Sequence, residues 1–211
     1  MRRLAAAALL FALSLALSGC GASKASKRAS GSTSDTPRCP EAWKAAWQQL
    51  ADQIGAPVYC PSWMPSPLDA RIGGPYSYGR FVERDRSYLI PFIWQETTPT
   101  GGEEVHVNFR GYPGRTSIPI CEDTITVKGR TVHPKIPCFS DARGRKRFPL
   151  ATVTVYTANQ GADTWHVLYA WRHRGSLYAI SEHVAPPYSY SRVLANLDRM
   201  MRGLVLLEPP S

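Results

Sequence analysis

Long hydrophobic runs are nearly absent from this chain. The one extended run is Leu4 to Leu17, 14 residues interrupted only by Ser14. A helix needs about 20 apolar residues to cross the hydrocarbon core of a bilayer, so this run is short for a permanent span. The common catalytic signatures are missing too. There is no G-x-S-x-G, no H-E-x-x-H, no Walker A loop and no Cys-x-x-Cys. Those absences remove the usual sequence grounds for a serine hydrolase, a zinc protease, a nucleotide-binding loop or a thiol redox centre. Acidic residues are few: 16 Asp and Glu stand against 25 Lys and Arg, a formal net charge of +9. Cysteine is limited to five positions, and no internal repeat is present.

What is there begins at the N-terminus. Arg2 and Arg3 precede the apolar run, and small residues follow it. A positive start, an apolar stretch of about 7–15 residues and small residues make up the plan of a secretory signal. An ordinary signal would end on an A-x-A-like site. This one ends in Leu17-Ser18-Gly19-Cys20. That tetrapeptide resembles the lipobox of bacterial lipoproteins in residue type, order and spacing. The resemblance covers the first twenty residues. It implies export by the general secretory route, a diacylglycerol on the sulfur of Cys20, and cleavage that leaves Cys20 as the new N-terminus. Residues 1–19 are then the signal peptide, and the protein is a membrane-anchored lipoprotein facing the extracytoplasmic side. Each buried CH₂ contributes about 0.8 kcal/mol, and two chains suffice for stable anchoring where one does not.

Gly21 to Arg38 reads GASKASKRASGSTSDTPR, with no large apolar residue. Such a tract cannot bury enough surface to offset the entropy of ordering, so residues 20–38 are expected to form a lipidated, disordered tether. Lys24, Lys27 and Arg28 in it suit anionic headgroups. Loss of Arg2 and Arg3 takes the net charge from +9 to +7. That balance favours anionic lipid or wall polymer as partner, and export argues against nucleic acid. Subtracting 19 signal and 19 tether residues from 211 leaves 173, residues 39–211, enough for one sizeable core.

With Cys20 assigned to lipid, Cys39, Cys60, Cys121 and Cys138 remain. An even set in an oxidising compartment reads as disulfides, and four cysteines allow three pairings. Cys39–Cys60 and Cys121–Cys138 are preferred because each closes a local loop of about 20 residues, worth roughly 3 kcal/mol on the chain-entropy model. The long spacings do not suit a zinc site.

Element signals are clear along much of the chain. Trp43, Trp47, Leu50 and Ile54 recur at helical spacing between Pro40 and Gly55, which predicts a helix with one buried stripe. SYLIPFIWQ and EVHVNFR read as two strands of a hairpin, with Pro91 suggesting an edge position or a bulge. In the second strand Val105, Val107 and Phe109 take one face, His106, Asn108 and Arg110 the other. A small ribbon is expected over Thr124 to Val132, closed by Cys121–Cys138. LATVTVYT, TWHVLYAWR and SLYAISEHV follow as strands, the last two joined at Arg174-Gly175. That turn predicts His166 opposite His183, Tyr169 opposite Ile180 and Trp171 opposite Tyr178. A helix from Tyr188 to Met201 and the apolar LVLL segment end the chain. Helix, strands, helix without a βαβ rhythm predicts an α+β fold: an antiparallel β-sheet packed on one face by an N-terminal and a C-terminal helix. Trp171 to Leu207 resembles the end of LolA-like half-barrel lipoproteins, which implies a carrier of lipid or another hydrophobic molecule. It carries over no site residue.

Candidate functional residues are few. Arg143, Arg145, Lys146 and Arg147 form the densest cation cluster, on a segment expected to be a solvated loop, and suit phosphate or carboxylate groups. His166 and His183 face each other and are candidates for a metal pair, but a catalytic zinc needs three protein ligands, and Glu182 points to the opposite face. No metal or cofactor is therefore expected. The same alternation breaks up Ser181-Glu182-His183 as a triad. Glu83, Asp85, Glu96, Glu103 and Glu104 could supply a carboxylate pair for glycoside hydrolysis, but nothing singles two of them out. The expected function is a non-enzymatic ligand- or partner-binding module of the cell envelope, with a carrier and an exported hydrolase as alternatives.

Overall fold

The computed structural model describes residues 36–68, 77–99 and 101–210. The signal peptide, Cys20 and the tether as far as residue 35 lie outside these described residues. The fold is α+β, as the sequence predicts. Helix α1 (Glu41–Ile54) starts after Pro40 and ends at Gly55, whose φ of 58° is the left-handed conformation glycine adopts without strain. The strands that follow are β1 (Val58–Pro61), β2 (Ser77–Tyr78), β3 (Phe81–Val82), β4 (Tyr88–Thr98) and β5 (Gly101–Tyr112). A disulfide-closed arm holds β6 (Ile120–Glu122), β7 (Ile125–Val127), β8 (Arg130–Val132) and β9 (Lys135–Pro137). Then come β10 (Phe139–Arg147), β11 (Thr152–Asn159), β12 (His166–His173) and β13 (Ser176–His183), helix α2 (Tyr190–Arg202) and β14 (Leu204–Leu207).

The main sheet is antiparallel and runs β10-β11-β12-β13-β5-β4-β2, with β3 also on β4. Both helices lie on one of its faces. Strands β1 and β14 pair with each other and carry the chain away from α1 and α2. The β12–β13 register is the expected one: His166 opposite His183, Tyr169 opposite Ile180, Trp171 opposite Tyr178. Pro91 does not put β4 at the edge. Its outer neighbours are two short strands, β2 beside Phe92 and Ile93 and β3 beside Tyr88 and Leu89, so the proline falls where that neighbour is broken. Opposite Tyr88 stands Gly111, and a Cβ there would come within 2.3 Å of the Tyr88 ring; the tyrosine lies over bare backbone.

Alternation along the strands builds two cores. The larger fills the space between sheet and helices with Val105, Val107, Phe109, Val167, Tyr169, Trp171, Tyr178 and Ile180 against Trp43, Trp47, Leu50, Val193, Leu197 and Met200. Trp47 meets Phe109 edge-on at 5.4 Å between centroids, and Trp43 meets Phe92 at 5.4 Å. The smaller core lies on the other face, where Tyr112, Phe139, Leu168, Ala170, Leu177 and Ala179 pack with Ile118, Cys138 and Tyr156. The two predicted disulfides are both present, with Cα separations of 5.6 Å for Cys39–Cys60 and 4.8 Å for Cys121–Cys138. The first ties the start of α1 to β1, and the second closes the arm. Among the described residues, no helix is long and apolar enough to cross a membrane.

Candidate functional site: a histidine row on the open face of the sheet

Three adjacent strands set three histidines in a row. His166 on β12 pairs with His183 on β13. Strand β5 lies on the other side of β13, with Ser181 opposite Asn108 and Glu182 opposite Val107. One further step in that register puts His183 beside His106. Val105, Val107, Val167 and Glu182 point toward the helices, so the three imidazoles share the face away from them. Glu104, two residues from His106 on β5, lies on the same face. The His166 ring stacks on His183 at 5.1 Å and meets His106 edge-on at 4.7 Å.

Hydrogen bonds fix which ring nitrogens carry protons. The Asn108 side-chain N–H₂ donates to the Ala162 carbonyl at 2.7 Å and to Asp163 Oδ1 at 2.9 Å. Both partners are acceptors, so Asn108 Oδ1 must face His106 Nε2, 2.9 Å away, and accept from it. Neutral His106 thus carries its hydrogen on Nε2 and turns the lone pair of Nδ1 toward Glu104 Oε1 at 3.3 Å. His183 Nδ1 donates to the same Glu104 oxygen at 2.9 Å. His166 Nδ1 donates to the Thr164 carbonyl at 3.0 Å, which leaves its Nε2 bare. That atom is buried and without a hydrogen-bond partner.

The protonation tendencies agree with this geometry. Burial holds His106 below the usual histidine range, against the pull of Glu104. Burial lowers His166 further, to about 4, although Asp163 opposes it. Burial by itself would push the Glu104 carboxyl up. Hydrogen bonds from Gln95 and His183 and the nearby imidazoles outweigh that and hold it below its ordinary value. Burial thus favours the neutral form of His106 and His166, and the partners of Glu104 favour its ionised form.

Beneath the row, buried Asp163 ties the 3₁₀ turn Gly161–Asp163 to the sheet. It accepts hydrogen bonds from Asn108, from Ser181 Oγ at 2.6 Å and from Arg110 Nε at 2.5 Å. Ser181 is thereby committed to Asp163 rather than to an imidazole, and Glu182 is on the helix side, where Asn196 donates to its Oε1 at 2.7 Å. The five carboxylates weighed from sequence fall into two places. Glu83 and Asp85 belong to the β3–β4 turn, and Asp85 accepts from Ser87 and Arg115. Glu96 and Glu103 stand opposite each other near the β4–β5 turn, beside Glu104.

The cation cluster is not a loop. It is most of β10, and the strand distributes its side chains over both faces. Lys146 reaches toward α2, where its Nζ meets Asp198 Oδ1 at 2.8 Å and the Tyr169 hydroxyl at 2.7 Å. Arg143 pairs with Asp141 and donates to Thr157 Oγ1. Arg145 shares an open depression of about 370 Å³ with Thr152, Thr154 and Arg172. Arg147 is exposed at the end of β10. The four candidates are thus not gathered into one anion site.

Sequence reading found two members of the histidine row and missed Glu104 and His106. The alternation of EVHVNFR already put His106 on the outward face. The missing signal was the pairing of β13 with β5, two strands about 70 residues apart in sequence. No protein-family model, no curated protein and no solved structure matches this chain.

Proposed function

We propose that this chain is a lipid-anchored, extracytoplasmic module of a bacterial cell envelope that binds a ligand or partner without catalysing a reaction. The lipobox-like Leu17-Ser18-Gly19-Cys20 supports the anchor. The observation that carries the binding reading is the distribution of polar groups. Among the described residues, the space between sheet and helices is filled by large apolar side chains, while ionisable groups from separate strands converge on the open face. A carrier needs an apolar cavity of hundreds of Å³ behind the sheet. Trp43, Trp47, Leu197 and Met200 occupy that space here, which weighs against the LolA-like alternative. A hydrolase needs a nucleophile or an acid–base pair aimed at a substrate. Ser181, two residues from His183, is buried and bonded to Asp163, and Thr164, two residues from His166, donates its hydroxyl to the Gly161 carbonyl. Arg145, Arg147 and Arg172, exposed on β10 and β12, remain available for anionic lipid or wall polymer.

Cell fractionation tests the anchor. The wild-type protein is expected in the membrane pellet after a carbonate wash, and Cys20→Ala in the soluble exported fraction. A Cys20→Ala variant that stays in the washed pellet would mean that another part of the chain holds it.

A further inference from the structure

We propose that Glu104, His106 and His183 bind one divalent transition-metal ion of the zinc and copper(II) class. This names a ligand for the binding-module reading and rests on that reading for its purpose. One donor atom from each of the first three residues lies within 4.8 Å of the others. Ligands at 2.0–2.2 Å from a tetrahedral zinc are about 3.3 Å apart, and the His106 Nδ1 to Glu104 Oε1 distance is 3.3 Å. Imidazole nitrogens with one carboxylate suit zinc, copper and nickel, whereas magnesium and calcium prefer oxygen donors throughout.

The strongest argument is the direction of the lone pairs. Asn108, held by Ala162 and Asp163, takes the Nε2 hydrogen of His106. A neutral His106 then aims its Nδ1 lone pair at a carboxylate oxygen, two acceptors facing each other with no hydrogen between. A cation between them removes the repulsion and takes the place of the His183 Nδ1 hydrogen, which leaves to solvent as a proton. Fixing one ring nitrogen by a hydrogen bond so that the other faces the metal is how metal-bound histidines are usually oriented. His166 lies against the site, its ring stacked on His183 and edge-on to His106. Its Nδ1 is tied to the Thr164 carbonyl, and its bare Nε2 has no partner in a side chain only 3% exposed. A buried acceptor without a donor is destabilising.

Access and charge fit a cation. Glu104, His106 and His183 keep 23%, 13% and 22% of their side-chain surface exposed, so an ion reaches them without unfolding. An open depression of about 370 Å³ beside them is lined by Glu96, Glu103 and Glu104. Glu96 and Glu103 stand directly opposite each other, an arrangement that costs stability in a sheet.

The test is a zinc titration of the full chain, purified without a polyhistidine tag, followed by calorimetry. The expected result is one zinc per chain with micromolar or tighter affinity. Glu104→Gln and His183→Ala should each weaken it at least 100-fold, and Arg145→Ala should leave it unchanged. Circular dichroism reports whether each variant is folded, and His106→Gln replaces any that is not. Copper(II) electron paramagnetic resonance should show nitrogen coupling that diminishes when His106 or His183 is replaced. A folded wild-type chain that takes up no zinc or copper in stoichiometric amount would overturn the proposal. So would uptake that the folded Glu104 and His183 variants, or the His106→Gln variant standing in for one of them, leave intact. A negative titration would leave the fractionation result at Cys20 standing, and a negative fractionation would leave this site standing.

Discussion

Replacing Glu182 with glutamine is expected to remove a stability loss of about 5 kcal/mol that the wild-type domain suffers between pH 4 and pH 9. Glu182 is completely buried beneath α2. Asn196 donates to its Oε1, Oε2 has no hydrogen-bond partner among the described residues, and the Arg192 cation acts on it. Burial therefore raises its pKa to about 8 from an ordinary 4.5, the hydrogen bond and Arg192 opposing the rise. The fold holds a proton here that the unfolded chain has already lost. That contribution is complete below pH 4.5, shrinks as pH rises, and is gone above pH 8. Across that interval it amounts to about 5 kcal/mol, at roughly 1.4 kcal/mol per pH unit. Glutamine keeps the acceptor for Asn196 and cannot ionise. Urea unfolding at a series of pH values should show the wild type falling relative to Glu182→Gln as pH rises. Parallel profiles for the two proteins would show that Glu182 is not buried as described.

The second large effect belongs to the helix face of the sheet. Trp47→Ala should cost about 3–5 kcal/mol, the usual range for deleting a buried large aromatic side chain. Trp47 is 2% exposed and sets its ring edge-on against Phe109 at the centre of the larger core. Lys44→Ala, on the exposed side of the same helix, should change stability by less than about 0.5 kcal/mol. Measured together by urea unfolding, the pair separates packing from helix propensity. A Trp47→Ala cost below about 1 kcal/mol would mean that α1 is not seated on the sheet.

These two residues mark what the sequence discloses and what it hides. The Trp43, Trp47, Leu50, Ile54 stripe announces α1 and its buried face because helical period is a local property. The β12–β13 register was legible because a glycine turn at Arg174-Gly175 fixes every pair that follows it. The disulfides were legible because four cysteines, once Cys20 is set aside, offer few pairings and two of them close short local loops. Three features were not. Strand β10 is disguised by its cations, since a strand at the sheet edge with charged outward positions resembles a solvated loop. Strand β1 is short and takes its identity from β14, about 145 residues later. The histidine row needs β5 beside β13, a pairing no local pattern states. Glu182 was correctly placed on the opposite face from His183, but its burial under Asn196 follows only from where α2 lands.

The account as a whole turns on one chemical event at residue 20. The most direct measurement is the intact mass of the protein extracted from cell membranes. The predicted species begins at Cys20, carries a diacylglyceryl group on that residue, and is lighter by the four hydrogens that the Cys39–Cys60 and Cys121–Cys138 disulfides remove. A chain that retains Met1, or one cleaved elsewhere with Cys20 unmodified, would contradict it.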